Sequence, residues 1–348
     1  VCSSNVLITR STKDNEAETI PSRWLNRLLN LLSGLSGNNG PQAIENMKGR
    51  GTKWLDWASE IKNVTPTKPA KRPSPKPPKE TRPKKLSVTE IKTLIRDPYA
   101  IYAKHILKLK PLKPLHRTAD PLLRGVIIHK IFEQFVKNWQ EDDKLLDQKK
   151  LLLNLTKETL TEKVASPTAR LFWFSRVEKI ADWFVSEEAN RRNLSKPMAL
   201  EKKGQIIIPD LAFKLTAQVD RVDINQDGKA IIYDYKTGAV PNKNVQLHFD
   251  KQLFLLGLIV EDGGFPDIAP LSVSDASFVD LSNKKAVSAP FDQESLETHR
   301  AKFHLLIKRY FNPDQGFTAR RAMFRIEDDS DYDGISRFGE WSIEDKAE

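Results

Sequence analysis

The sequence contains one cysteine, Cys2, so an intrachain disulfide cannot form. This scarcity also excludes a zinc or iron–sulfur site built from four cysteines. Hydrophobic residues make up 39% of the 348 residues, yet no uninterrupted apolar run approaches the ~20 residues that a membrane-spanning helix needs. We therefore expect a protein without an iron–sulfur cluster and without a membrane partner.

A phosphate-binding loop and a targeting signal are also missing from the sequence. No Gly-x-x-x-x-Gly-Lys-[Ser/Thr] pattern is present, which predicts that this piece does not hydrolyse ATP. The chain begins with Val-Cys-Ser-Ser, without a methionine and without a charged-then-apolar signal pattern. These features predict a piece of a longer polypeptide in a cytoplasmic setting.

The net charge of +10 is concentrated in one segment. Residues 66–85 hold eight basic residues against one acid, Glu80, so only +3 remains elsewhere. The segment also holds seven of the 21 prolines. This composition predicts an extended, semi-rigid, solvated linker, with phosphate contact as an additional role. The overall charge is therefore a weak argument for DNA binding.

The linker divides the chain into a helical segment at 1–65, the linker at 66–85 and a large domain at 86–348. In the first segment, apolar periodicity predicts helices at 22–35 and 44–62. A capping box at Ser87-Val88-Thr89-Glu90 predicts that the large domain opens with a helix, which must end before Pro98.

Later elements of the large domain alternate between helical and strand patterns. The predicted helices lie at 121–139, 146–164, 168–192 and 245–260, and the predicted strands at 200–209, 212–224, 229–237 and 272–281. Strands that feed a helix and a further strand predict an α/β fold with a mixed sheet flanked by helices.

The strongest chemical signal is AIIYDYKTG, residues 230–238, because it places Asp234 and Lys236 two residues apart in a strand. Side chains at i and i+2 lie on the same face of a strand. A carboxylate that can bind a divalent cation, beside a lysine that can stabilise developing charge, suits metal-assisted phosphodiester hydrolysis. Taken alone, the two residues are as well explained by an exposed ion pair.

The preceding strand carries Asp220 and is joined to the Asp234 strand by Gln226-Asp227-Gly228, which predicts a β-hairpin. A three-residue loop with Gly228 in the left-handed region places Asp220 directly opposite Asp234. A two-residue turn would place it opposite Tyr235, on the wrong face for a shared metal. The sequence leaves both registers open.

A third candidate is His129, in the helical pattern RGVIIHKIFEQFVKNW. A histidine on a helix can donate a nitrogen ligand to the same metal. The common alternative for an isolated helical histidine is a packed or surface position.

Together these motifs resemble the nuclease domain of the RecB and AddB family, a branch of the PD-(D/E)xK nucleases. In that family an Arg-Gly-x-x-x-His helix, an aspartate strand and an Asp-Tyr-Lys strand form the active site. The matching residues are His129, Asp220, Asp234 and Lys236. The resemblance implies a PD-(D/E)xK restriction-endonuclease-like core with extra N-terminal helices.

Two further segments are similar to alphaproteobacterial AddB subunits, the partners of AddA in a helicase-nuclease for double-strand break repair. They are LSVTEIKTLIRDPYAIYAKHILKLKPL, residues 86–112, and the ending with Asp331-Tyr332-Asp333 and Gly339-Glu340-Trp341. The resemblance implies the C-terminal nuclease region of an AddB-type subunit, with DNA and an AddA-type subunit as partners. Residues 1–65 are then the tail of a helicase-like domain; the pattern alone equally fits a small helical cap packed on the nuclease domain.

The implied activity is metal-dependent cleavage of DNA, expected to be exonucleolytic. Asp220, Asp234, His129 and the backbone carbonyl of Tyr235 would hold one or two Mg²⁺ or Mn²⁺ ions, because oxygen-rich ligation favours hard cations. Lys236 would position the attacking water or stabilise the charged intermediate.

Two residues at the margin of the motif extend this hypothesis. Gln252 matches a glutamine that orients the lysine or contacts DNA in this branch, but Leu256 departs from the aromatic or acidic residue that often follows it. Glu201 could join the site as a glutamate does in some relatives, although an exposed strand-end carboxylate is the preferred interpretation. The main functional alternative is an inactive nuclease-fold module that serves as a DNA-binding or partner-docking platform.

Overall fold

A computed structural model describes residues 6–14, 17–63, 68–112, 119–291, 294–325 and 327–348. Cys2 lies outside these residues. The chain forms two compact units that divide between Lys68 and Pro69. Among the described residues, no helix combines the length and the apolar character that a membrane span requires.

The first unit contains the predicted N-terminal helices. A two-stranded ladder joins β1 (Lys13–Asp14) to β2 (Ala17–Glu18), and it precedes α1 (Arg23–Ser33) and α2 (Gly40–Lys62). The Ser22 side chain caps α1 by accepting a hydrogen bond from the Leu25 amide. α2 begins four residues before its predicted start.

The second unit combines helices with a mixed sheet, as predicted. Its helices are, in chain order, α3 (Val88–Arg96), α4 (Pro98–Ile101), α5 (Pro121–Lys137), α6 (Leu145–Lys163), α7 (Pro167–Leu194), α8 (Lys243–His248), α9 (Gln252–Glu261), α10 (Leu296–Phe311) and α11 (Asp333–Ser336). Its strands are β3 (Lys85–Ser87), β4 (Ser195–Ile208), β5 (Phe213–Asn225), β6 (Ala230–Lys236), β7 (Val273–Asp280) and β8 (Lys285–Ser288). The predicted strands and the helices before them are confirmed within a few residues, whereas the helix predicted at 245–260 is broken in two.

The sheet has the order β3-β5-β6-β7-β8, with β4 paired to β5. β3 pairs in parallel with β5, and β6 in parallel with β7, while the other pairs are antiparallel. One hydrophobic cluster packs α3, α9 and α10 against the sheet, and a second packs α5, α6 and α7 against it. Helices therefore cover both faces.

The β5–β6 hairpin adopts the three-residue loop. Arg221 pairs with Tyr233 and Ile224 with Ala230, so the same register sets Asp220 against Asp234. Gly228 has φ 73°, the left-handed conformation that such a loop requires. The two-residue turn is excluded.

An opening in the sheet lies beside this hairpin. Because β4 pairs with β5 from end to end, β3 and β6 must share the other edge of β5. β3 pairs with residues 214–216 and β6 with residues 221–224. Residues 217–220 of that edge have no partner among the described strands, and we call this opening the notch.

The prediction of a solvated linker is wrong for part of residues 69–85, which belong to the second unit and include buried positions. Arg82 is 2% exposed and donates to the carbonyl oxygens of Tyr310 and Pro313. Arg72 donates to the carbonyl oxygen of Ala319. Guanidinium groups need acceptors when buried, and these backbone carbonyls supply them. Residues 66 and 67 lie outside the described residues.

Candidate active site

The strands β5 and β6 separate beyond the Arg221–Tyr233 pair, and the candidate site lies where they part. The Tyr235 amide donates a 2.8 Å hydrogen bond to the Asp220 carboxylate rather than to a β5 carbonyl. A side chain thus replaces the backbone ladder at this point. This hydrogen bond holds Asp220 at the notch.

His129, Glu201 and Asp220 meet at the notch. His129 Nδ1 lies 3.3 Å from Asp220 Oδ1 and 3.5 Å from Glu201 Oε1. One potential ligand atom from each residue lies within 4.8 Å of the others. Helix α5 brings His129 to the site from the second hydrophobic cluster, and β4 and β5 bring the two carboxylates.

Glu201 lies at a break in strand alternation. Its φ is 51°, a left-handed value that is strained for a residue with a side chain. Ala199 and Ile206 both pack in the first hydrophobic cluster, although they lie an odd number of positions apart. The preferred prediction of an exposed strand-end carboxylate is wrong: Glu201 lies within β4, and its side chain is 19% exposed.

Charge dominates the titration of His129. Burial acts to lower its pKa, but hydrogen bonds and charges from Asp220 and Glu201 outweigh burial and raise the pKa to about 10. The ring therefore carries a proton at neutral pH in the metal-free protein. That proton must leave before the nitrogen can bind a metal ion.

Asp234, Lys236 and Gln252 form a second group beside this cluster. Lys236 Nζ lies 2.5 Å from Asp234 Oδ2 and donates a 3.1 Å hydrogen bond to Gln252 Oε1. The Gln252 amide also donates to Asp234 Oδ1. Gln252, at the start of α9, thus fixes both members of the Asp-x-Lys pair.

Asp234 is 2% exposed, and this burial governs its titration. Burial raises its pKa to about 7, because the charge of nearby Asp220 adds to burial and the two outweigh the attraction of Lys236. Burial acts to lower the pKa of Lys236, but Asp234 more than compensates, so that pKa is raised as well. Asp234 is therefore protonated more easily than an ordinary aspartate.

The donor set fits a divalent cation. Carboxylate oxygens and an imidazole nitrogen converge at the notch. Buried Asp234 Oδ2 is in ion-pair contact with Lys236 but accepts no hydrogen bond of regular geometry from the described chain. Asp234 stands next to the three-residue cluster, not within it. Tyr235 is a 4% exposed core residue whose amide holds Asp220, and the role of its carbonyl remains a prediction.

Glu201 could have been found by counting strand register. Ile208 pairs with Phe213 across the Pro209–Leu211 turn, and this register sets position 201 against position 220. The turn proline and the apolar runs on either side were visible in the sequence. The left-handed conformation of Glu201 was not.

Comparison with known proteins identifies this architecture. The family model described as the PD-(D/E)XK nuclease superfamily matches residues 85–322. An uncharacterized protein of Rickettsia bellii is 30% identical over 245 residues, covering 65% of this chain and 29% of the relative. Another from Rickettsia conorii is 31% identical over 199 residues, covering 55% and 24%.

A relative with a named activity comes from Clostridium botulinum. This subunit of an ATP-dependent helicase/deoxyribonuclease, from strain Hall, is 30% identical over 211 residues, which cover 50% of this chain and 17% of the subunit. The chain therefore spans less than a third of the length of each of these curated relatives.

Proposed function

Because the chain belongs to the PD-(D/E)XK nuclease superfamily, we propose that its second unit is a metal-dependent deoxyribonuclease. The observation that supports this most directly is the meeting of His129, Glu201 and Asp220 at the notch, beside the Asp234–Lys236 pair. Oxygen-rich ligation with one histidine suits Mg²⁺ or Mn²⁺. Phosphodiester hydrolysis is the chemistry that such a set supports.

His129, Asp220 and Glu201 would hold the cation, with Asp234 and the Tyr235 carbonyl as further ligands. When bound, the cation supplies Lewis acidity at the scissile phosphate and makes a water more acidic. The buried Oδ2 of Asp234, which accepts no regular hydrogen bond from the described residues, is suited to this role because a cation would satisfy it.

Lys236 supplies the fixed positive charge of the site. Its ammonium is held by Asp234 and Gln252, and the side chain is 28% exposed, so Lys236 can reach a phosphate oxygen or a water. A preorganised donor of this kind stabilises the charge that develops on the phosphate in the transition state. Gln252 acts as the positioning residue, because it bonds both partners and needs no charge of its own.

The decisive experiment measures nucleotide release from labelled single-stranded DNA with Mg²⁺, with Mn²⁺ and with a chelator. Asp234→Ala and Lys236→Ala should each abolish metal-dependent release. Asp227→Ala and Lys229→Ala are matched controls, because they change the same residue types at the exposed tip of the same hairpin. These controls should cleave like the parent.

Several results would reject the proposal. Release that continues in chelator, or that survives both site substitutions, would show that another centre or a contaminant cleaves the DNA. A parent that binds DNA but neither cleaves it nor takes up metal in isothermal titration would favour the inactive docking platform.

The clostridial relative, which is named as a helicase/deoxyribonuclease subunit, supports a proposal for the wider role. We place the chain in the nuclease part of an AddB-type subunit that acts with an AddA-type partner in the cytoplasm to process DNA ends as an exonuclease. Linear and circular single strands test the need for an end. An exonuclease degrades only the linear form, whereas equal loss of both forms would identify an endonuclease.

A further inference from the structure

A mainly polar strip, interrupted by exposed Ile207, lies on one face of β3, β5 and β4 beside the active site. Its members are Lys85, Lys203, Gln205, Lys214, Thr216 and Gln218, and we call this set the lysine strip. Alternation places them opposite the buried face, on which Leu86, Ile206 and Leu215 pack in the first hydrophobic cluster. Lys85, Lys203, Gln205 and Gln218 are exposed, so α5, α6 and α7 do not cover this part of the sheet.

The strip carries positive charge that nothing in the described chain neutralises. The strand register sets Lys85 directly against Lys214, and like charges in this arrangement destabilise a sheet. Neither lysine, nor Lys203, forms an ion pair with a described residue. By contrast, neighbouring Lys202 lies 3.2 Å from Asp267. An arrangement that costs stability and lacks an acidic partner suits an external anion.

The strip ends at the proposed metal ligands. Across the ladder, Lys203 pairs with Gln218, whose side-chain amide donates a 2.6 Å hydrogen bond to Glu201. None of the six members of the strip is acidic. The charge therefore changes from positive along the strip to negative at Glu201.

A groove of about 690 Å³ adjoins the strip; five of the six members line it, and apolar residues that include Val88, Leu256 and Phe265 line it as well. Lys85, Lys203 and Gln218 line it, and Gln252 lies at its catalytic end. One wall is fixed by the backbone, because the Gln205 amide donates a 2.8 Å hydrogen bond to the Gly264 carbonyl oxygen. The groove is thus built before any ligand arrives.

We propose that the lysine strip binds the sugar–phosphate backbone of the DNA strand that runs into the active site. This inference rests on the proposed nuclease function and adds the path of the substrate. Alternate residues of a strand lie about 6.8 Å apart, so successive side chains can meet successive phosphates of an extended single strand. Lysines contact phosphates, while glutamine and threonine side chains offer neutral hydrogen bonds to the backbone.

The test measures binding of a fluorescein-labelled single-stranded oligonucleotide by anisotropy, in chelator and across a series of salt concentrations. The double substitution Lys85→Ala and Lys203→Ala should weaken binding about tenfold or more. It should also reduce the slope of log affinity against log salt by about 1.4, because each lost phosphate contact on a single strand contributes roughly 0.7. Lys157→Ala with Lys163→Ala, on the exposed face of α6, is the matched control.

The same variants separate failure of this inference from failure of the nuclease proposal. If the parent cleaves DNA and the double variant matches it in affinity, salt slope and KM, the strip is not the path and the nuclease proposal stands. If the parent binds with the expected loss in the variant but never cleaves, the nuclease proposal fails and the strip remains a strand-binding surface. Equal loss in the α6 control would overturn the assignment of the strip, and a thermal unfolding curve like that of the parent checks that the variant is folded.

Discussion

Two groups of charged residues meet at neighbouring positions of β5, and they are organised differently. Arg221 is fully buried, and its Nε and Nη2 atoms donate 2.6 and 2.7 Å hydrogen bonds to the two oxygens of Asp223. Its Nη1 donates to Glu188 on α7. Arg192 binds the other oxygen of Glu188 at 2.8 Å. In this group each buried carboxylate is directly paired with arginine.

The group one residue away leaves charges imperfectly matched. Asp220 and Glu201 share one histidine, and buried Asp234 has an oxygen that accepts no regular hydrogen bond among the described residues. A matched group stabilises the position of α7 on the sheet, while an unmatched group keeps capacity for a ligand. The comparison indicates that Arg221 and its partners stabilise the fold, while the group around the adjacent Asp220 serves the reaction.

The largest expected effect is a loss of stability when the Arg221 group, rather than the Asp234 group, is changed. Arg221→Met removes the partner of two buried carboxylates and should lower the free energy of unfolding by about 3–5 kcal/mol. Asp234→Asn should change stability far less, because the removal of a buried charge near Asp220 offsets the loss of the ion pair with Lys236. Urea unfolding of both variants in chelator measures the contrast. A large loss in Asp234→Asn would show that the site itself holds the fold together.

Gln252→Ala should have a smaller effect, and on activity. Loss of its bonds to Asp234 and Lys236 should lower kcat roughly 10- to 100-fold, as removal of an orienting partner does. KM and the unfolding midpoint should change little. Steady-state kinetics on single-stranded DNA separates kcat from KM. Gln246→Ala would be a poor control, because Gln246 is buried. Exposed Gln226, at the hairpin tip, supplies the matched Gln→Ala change. An effect on KM alone would assign Gln252 to DNA contact.

A pH titration tests His299 in α10, whose surroundings differ from those of His129 at the notch. His299 is 3% exposed and stacks on Phe254, and burial together with the charge of Lys251 lowers its pKa to about 4, despite nearby Glu294. Its folded pKa lies below the ordinary value of 6.5, so its contribution is present above pH 6.5 and is lost as the pH falls towards 4.

We expect stability to fall over that window by at most about 1.4 kcal/mol per pH unit from this group. His299→Gln should remove this part of the slope, and chemical unfolding at several pH values measures it. An unchanged slope in the variant would mean that carboxylates alone cause the acid sensitivity.

The sequence predicted the parts of the site that depend on short-range rules. Turn chemistry reduced the hairpin to two registers, and the structure adopts the one with Gly228 in the left-handed region, which aligns Asp220 with Asp234. Helical periodicity placed His129 on a helix that faces the sheet. Local patterns suffice here because each residue's position follows from its own strand or helix.

The features that the sequence did not reveal depend on long-range contacts. Glu201 has a left-handed backbone within β4, and no pattern in the sequence signals that conformation. Arg72 and Arg82 are buried because carbonyl oxygens from residues far along the chain accept their hydrogen bonds. Composition suggested solvation, since it cannot show where such acceptors lie. Short strands such as β3 and β8 carry too few residues for a periodic signal.

The smallest expected effect tests whether the two charged groups act independently. The Tyr235 hydroxyl lies 3.4 Å from Arg221 Nη1, and this side-chain hydrogen bond links the Arg221 group to the strand of Asp234 and Lys236. A bond this long contributes little, so Tyr235→Phe should cost about 0.5–1 kcal/mol of stability and change kcat less than about threefold. The ring packing against Phe132 is retained. A loss of activity without a loss of stability would show that Arg221 positions the active site through Tyr235, and the division between the two groups would then be wrong.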